Sequence, residues 1–150
     1  MRRSDRLEPV QKVVDDTERR LAEHFAASEK LLNGCEQKLN ELIGYRDDYT
    51  TGFAQRAGKG MGARELVDYQ AFMSRLNEAI AQQSEVVDRA RADRDAVRKR
   101  WQEAAQRSKA LTHVIENWEQ QEQREVARRE QIESDERAQR PRRTAHESGA

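Results

Sequence analysis

Between Leu66 and Trp118, one stripe of positions recurs in alternating steps of three and four residues: Leu66, Tyr69, Met73, Leu76, Ile80, Gln83, Val87, Ala90, Arg94, Val97, Trp101, Ala104, Ser108, Leu111, Ile115 and Trp118. All but Gln83, Arg94 and Ser108 are apolar. A seven-residue repeat held over this length keeps one stripe on one helix face and implies left-handed supercoiling against a partner helix. Composition points the same way: 35% of the chain is hydrophobic and 37% charged, against norms of roughly half and a quarter. Such a chain cannot line a wide globular core, but it can supply a narrow seam, which needs apolar residues at only about two of every seven positions.

The partner stripe lies upstream. Val10, Val14, Leu21, Phe25, Leu31 or Leu32, Cys35, Leu39, Leu42, Tyr45 and Tyr49 follow helical spacing. Ser28 interrupts the stripe, and Gly34 and Gly44 each weaken the helix by roughly 1 kcal/mol relative to alanine. Gly52, Gly58, Gly60 and Gly62 crowd into one window, where glycine's tolerance of positive φ suits a reversal. Pro9 and Pro141 are expected near helix ends. The chain is therefore predicted to be all-α, a long antiparallel two-helix coiled-coil hairpin over residues 1–140. Its helices should span about 9–50 and 63–139 with a loop over 51–62, and 141–150 is expected to be a disordered tail. Closing the loop symmetrically puts Tyr49 near Leu66, Val14 near Trp101 and Val10 opposite Ser108. After Trp118 the stripe reads Glu122, Glu125 and Arg129, so the seam should end there. With Val10 opposite Ser108, the second helix should overhang from there to Arg140 by ~45 Å at the α-helical rise.

Several classes are disfavoured. The formal net charge is zero, so no global field draws the chain to nucleic acid, and no basic domain with interleaved stacking aromatics is present. No stretch approaches the ~20 apolar residues of a membrane span, so no direct membrane insertion is expected. Met1, Arg2 and Arg3 are followed by charges rather than by a signal-peptide apolar region. The single Cys35 fits a reducing compartment, which makes the cytoplasm the default location. His24, His113 and His146 have no partner cysteine at ligand spacing, so no metal is expected. Gly58, Lys59 and Gly60 do not complete a phosphate-binding loop. No catalytic grouping or cofactor motif appears, which makes an ATP-dependent enzyme the remotest reading.

Two features remain open at this level. Arg89, Arg91, Arg94, Arg98, Lys99, Arg100, Arg107 and Lys109 outnumber Asp93, Asp95 and Glu103. They form either a solvated face or a docking stripe for an acidic protein surface. Tyr45, Tyr49, Phe53, Tyr69 and Phe72 gather at the loop end, either as packing or as a binding anchor, because two helices cannot enclose that many rings.

Leu7-Glu8-Pro9-Val10 at the start, Leu42, Tyr45-Arg46 and Tyr49 before the glycine loop, and Tyr69-Gln70-Ala71-Phe72 with Leu76 after it form a recognisable combination. With Ala79-Ile80-Ala81-Gln82-Gln83, Arg100-Trp101 and Lys109-Ala110-Leu111, they resemble the FliJ family of flagellar type III export proteins over about residues 1–140. The resemblance implies a non-catalytic stalk whose open end inserts into the hexameric export ATPase. It also implies a hairpin body that contacts the cytoplasmic domain of the membrane-embedded export gate, and binding of export chaperones. By position, the gate contact falls on Leu42, Tyr45, Tyr49, Phe72, Leu76 and Ala79, with Lys38 and Gln83 beside them. The ATPase contact falls on Val10, Val13, Val14, Leu111, Ile115 and Trp118. The implied location is cytoplasmic, peripheral to the inner membrane at the export apparatus. The competing reading is a generic cytoplasmic coiled-coil scaffold or adaptor.

Overall fold

The computed structural model describes residues 2–140, so the predicted disordered tail lies outside the described residues. The chain is all-α: two helices, α1 (Arg3–Ala57) and α2 (Ala63–Gln139), with no strand among the described residues. α1 outruns its expected limits of about 9–50 at both ends. At its start, Pro9 lies in the second turn and withholds one backbone bond, that to the Asp5 carbonyl, while a partner from α2 holds the first turn in place. At its far end the helix runs through Gly52, because the Phe53 ring stacks on Tyr69 with centroids 3.6 Å apart. That stacking offsets the roughly 1 kcal/mol helix penalty of a glycine. The reversal occupies only residues 58–62, where Gly60 takes a left-handed φ of 96°. The amides of Lys59 and Gly60 donate to the Arg56 and Ala57 carbonyls at 3.1 and 3.3 Å, which terminates α1.

The chain forms two compact units. In the unit Thr17–Ala104 the helices pack antiparallel. Leu32, Val87 and Ala90 form its core, with Cys35 and Leu39 packed against them. Of the two adjacent leucines, Leu32 is 3% exposed and Leu31 62%. The α1 seam is a strict heptad through Leu21, Phe25, Ser28, Leu32, Cys35, Leu39, Leu42, Arg46, Tyr49 and Phe53. In that repeat Phe25, Leu32, Leu39, Arg46 and Phe53 take position a. On α2 every expected stripe position is buried or half-buried except Leu66. Polar stripe residues have partners: the Gln83 amide donates to the Cys35 carbonyl at 3.0 Å, and Arg94 reaches Glu29 at 4.0 Å and Asp95 at 2.8 Å.

The register differs from the symmetric closure by one heptad. Trp101 faces not Val14 but Phe25, ring on ring with centroids 5.6 Å apart, and its indole N–H donates to Glu18 at 2.9 Å. Tyr49, expected near Leu66, stacks on Tyr69 and packs at a tilt against Phe72. The extra turns of α1 are the reason: moving the loop midpoint from about residue 56 to residue 60 raises the sum of facing residue numbers by about seven.

In the other unit, residues 2–16 run antiparallel to the start of the 105–140 segment, as far as about Glu122. Here too the expected register is corrected: Ser108 faces Asp15, not Val10, and its hydroxyl donates to the Asp15 carboxylate at 2.6 Å. The Gln11 amide donates to Thr112 at 3.0 Å. Gln11 thus takes the seam position expected for Val10, which is exposed. The seam does not end at Trp118. One heptad beyond Ile115, Glu122 accepts from the Ser4 hydroxyl at 2.7 Å and from the Ser4 backbone N–H at 3.2 Å. This carboxylate caps the N-terminal turn of α1 from the opposite helix, satisfying a donor that has no intrahelical acceptor. Its proton affinity falls below the ordinary carboxylate range, chiefly through the Ser4 hydroxyl bond. The unpaired stretch therefore begins only after Glu122.

Candidate protein-binding surfaces

In an antiparallel coiled coil, the g positions of the two helices flank one side of the seam and the e positions the other. In the unit Thr17–Ala104, the two sides differ in chemistry. On the e side, Arg91 meets Glu36 at 3.1 Å across the helices. On the g side at the loop end stand Tyr45, Phe72 and Ala79. Tyr45 is 61% exposed and Phe72 40%. Phe72 packs on Tyr49 with centroids 4.3 Å apart and rings tilted by 33°, and Tyr49 stacks on Tyr69 at 5.8 Å. A half-exposed ring held by a second ring is pre-oriented, so a partner covering it immobilises little additional side chain.

Leu42, Leu76 and Ala79 are half-buried at the seam and its edge. The six expected tip residues thus divide by exposure. Tyr45, Tyr49 and Phe72 present surface, while Leu42, Leu76 and Ala79 mainly support it. Tyr45 is not the seam residue that spacing suggested, because Arg46 takes that position and leaves the tyrosine outside. Phe53 joins the ring stack although it was expected in the loop; continuing the repeat by seven from Leu39 and Arg46 would have found it. A small hollow of about 200 Å³ lies between Phe53, Arg56, Met61 and Tyr69 at the loop.

In the other unit, Val10 and Val13 on α1 are exposed, whereas Val14, Leu111, Ile115 and Trp118 are half-buried seam residues. The Arg3 guanidinium lies 5.7 Å from the Trp118 ring centroid, a cation–π distance. Val114, absent from the expected set, occupies the g position of α2 and is exposed. No group of three or more His, Cys, Asp or Glu that could hold a metal occurs among the described residues. Nor is any helix there long and apolar enough to cross a membrane.

Exposed rings braced by other rings suit contact with a protein partner. The family described as "Flagellar FliJ protein" matches over residues 3–146. A protein of Salmonella typhi named "Flagellar FliJ protein" is 30% identical over 104 residues, which cover 67% of this chain and 66% of that relative. No solved structure matches. With the family match running across nearly the whole sequence and both long helices in place, the chain belongs to the FliJ family of flagellar proteins.

Proposed function

We propose that this chain is a non-catalytic stalk of the flagellar type III protein export apparatus. Its open end enters the ring of the hexameric export ATPase, its loop end contacts the cytoplasmic domain of the export gate, and it escorts export chaperones. Contact with the gate holds it peripherally at the inner membrane without a membrane span of its own. The observation that carries this reading is the outward-facing Tyr45 and Phe72 on one side of the loop-end unit, ring-braced by Tyr49. Aromatic anchors at the centre of an interface typically carry most of its energy. Leu42, Leu76 and Ala79 complete the gate surface from below. The exposed Val10 and Val13, backed by Val14, Leu111, Ile115 and Trp118, form the ATPase surface.

The test is the triple variant Tyr45→Ser, Phe72→Ser, Ala79→Gln, with circular dichroism first establishing that helicity is retained. Binding to the recombinant cytoplasmic domain of the gate and swimming motility should both be lost, while co-purification with the export ATPase persists. A folded triple variant that binds the gate normally would show that the ring cluster is packing. Failure of the unaltered chain to co-purify with the ATPase would favour a generic scaffold instead.

A further inference from the structure

The g side of the unit Thr17–Ala104 continues beyond the tip rings, and its chemistry changes. Leu31, 62% exposed, stands between two adjoining concavities of about 500 and 400 Å³ that share it and Ala27. Val86 borders one hollow and Ala96 the other. Lys30 and Lys38 rim the groove on α1, and Arg100 rims it on α2. Among the described residues, none of these three cations pairs with a carboxylate, whereas Arg91 and Arg94 reach Glu36 and Glu29 across the helices. Asp93 is the one acid in the lining.

Gly34 also lies in the groove. It sits inside a long helix, which it weakens. Yet a methyl group added there meets no atom within 4 Å, so packing within the chain does not require a glycine. Its missing side chain keeps the groove open between Leu31 and Lys38.

We propose that this groove is a docking site for an acidic amphipathic helix of a partner protein, separate from the tip surface. The partner's apolar stripe seats over Leu31 and the hollows beside it, and carboxylates on both flanks of that stripe meet Lys30 and Lys38 on one side and Arg100 on the other. This is helix-in-groove recognition, which adds a third helix to the seam. A second copy of this chain is a poorer occupant, because a two-fold contact would set one cationic rim against another.

A fluorescent three-heptad peptide with Leu at a and d and Glu at e and g serves as probe, since its own charge opposes self-association. Titrated with the full-length protein and followed by anisotropy, it should bind saturably. Gly34→Glu is the informative variant. The new carboxylate lies four residues from both Lys30 and Lys38, neutralising them and occupying the groove, while replacing a helix-interior glycine should raise Tm. Binding should weaken by about tenfold or more although the fold is stabilised. Leu31→Glu should weaken it similarly, and the Tyr45, Phe72, Ala79 triple variant should bind the peptide as the unaltered chain does. Absence of saturable binding, unchanged binding by Gly34→Glu, or equal binding of a peptide with Lys at e and g would overturn the proposal. So would loss of peptide binding in the tip variant, or dimerisation of the chain that Leu31→Glu abolishes. The tip reading is judged separately, since Gly34→Glu should still bind the gate domain.

Discussion

Two adjacent leucines carry opposite energetic weight. Leu32, 3% exposed, contributes to the core with Val87 and Ala90, whereas Leu31 points outward. Leu32→Ala should cost about 2–5 kcal/mol, through lost transfer energy and the cavity left behind. Leu31→Ala should change stability by less than about 0.5 kcal/mol. Urea midpoints of the two variants decide the matter, and equal losses would mean that the seam at this point is wrongly placed. The sequence leaves the pair ambiguous because Ser28 occupies the preceding seam position, and with a polar residue there the apolar stripe can be continued through either leucine. Val10 and Tyr45 mislead for a related reason. Each is the apolar neighbour of a polar residue, Gln11 and Arg46, that takes the seam position instead. Gln11 can do so because Thr112 accepts its amide proton. At Gln11, apolarity alone therefore selects the wrong member of the pair, because the facing helix offers a polar partner.

For the helices, the α2 stripe was legible almost throughout, and its direction against α1 followed from the glycine loop. The register was not legible. A slip of one heptad returns every a and d position to an equivalent one, so periodicity cannot distinguish alternatives seven residues apart. What distinguishes them is polar matching at particular layers: Gln83 on the Cys35 carbonyl, Ser108 on Asp15, and Ser4 on Glu122. The last of these couples pairing to pH. Because the Glu122 carboxyl holds its proton less tightly when folded than in the unfolded chain, its contribution is present above the ordinary carboxylate range. It fades as pH falls through that range and is gone once the carboxyl is protonated. Amide protection factors in the first turns of α1, with the intrinsic pH dependence of exchange divided out, should therefore fall on acidification to about pH 3. Glu122→Gln should show lower protection factors there already at neutral pH, with little further change on acidification. Equal protection in the variant and the unaltered chain at neutral pH would show that the first turns of α1 need no cap from α2.

At the level of the whole molecule, the candidate residues divide between the two units, the loop-end rings in Thr17–Ala104 and the exposed Val10 and Val13 in the other. The loop-end candidate set was legible because aromatic residues on a charged chain stand out. At the open end, Val114 is exposed and apolar without belonging to the stripe, so spacing alone does not single it out. The extent of pairing was misjudged because Glu122 looks like the end of an apolar seam until Ser4 is placed opposite it. This displaces the site of an informative truncation. Deletion from Glu119 onward would remove the Glu122 cap and confound loss of pairing with loss of a docking element. Deletion from Gln123 onward spares the Ser4–Glu122 hydrogen bonds and removes the part of α2 beyond them with the residues that follow it, including the exposed Val126 and Ile132. That shorter chain should unfold at nearly the same urea midpoint as the full one, since the described residues that are lost, 123–140, contribute no buried side chain. If the unpaired helix helps the open end enter the ATPase ring, co-purification with the ATPase should weaken while binding of the gate domain is retained. Undiminished co-purification would confine the ATPase contact to the paired surface around Val10, Val13 and Trp118. A lower urea midpoint would instead mean that helix beyond Glu122 supports the seam.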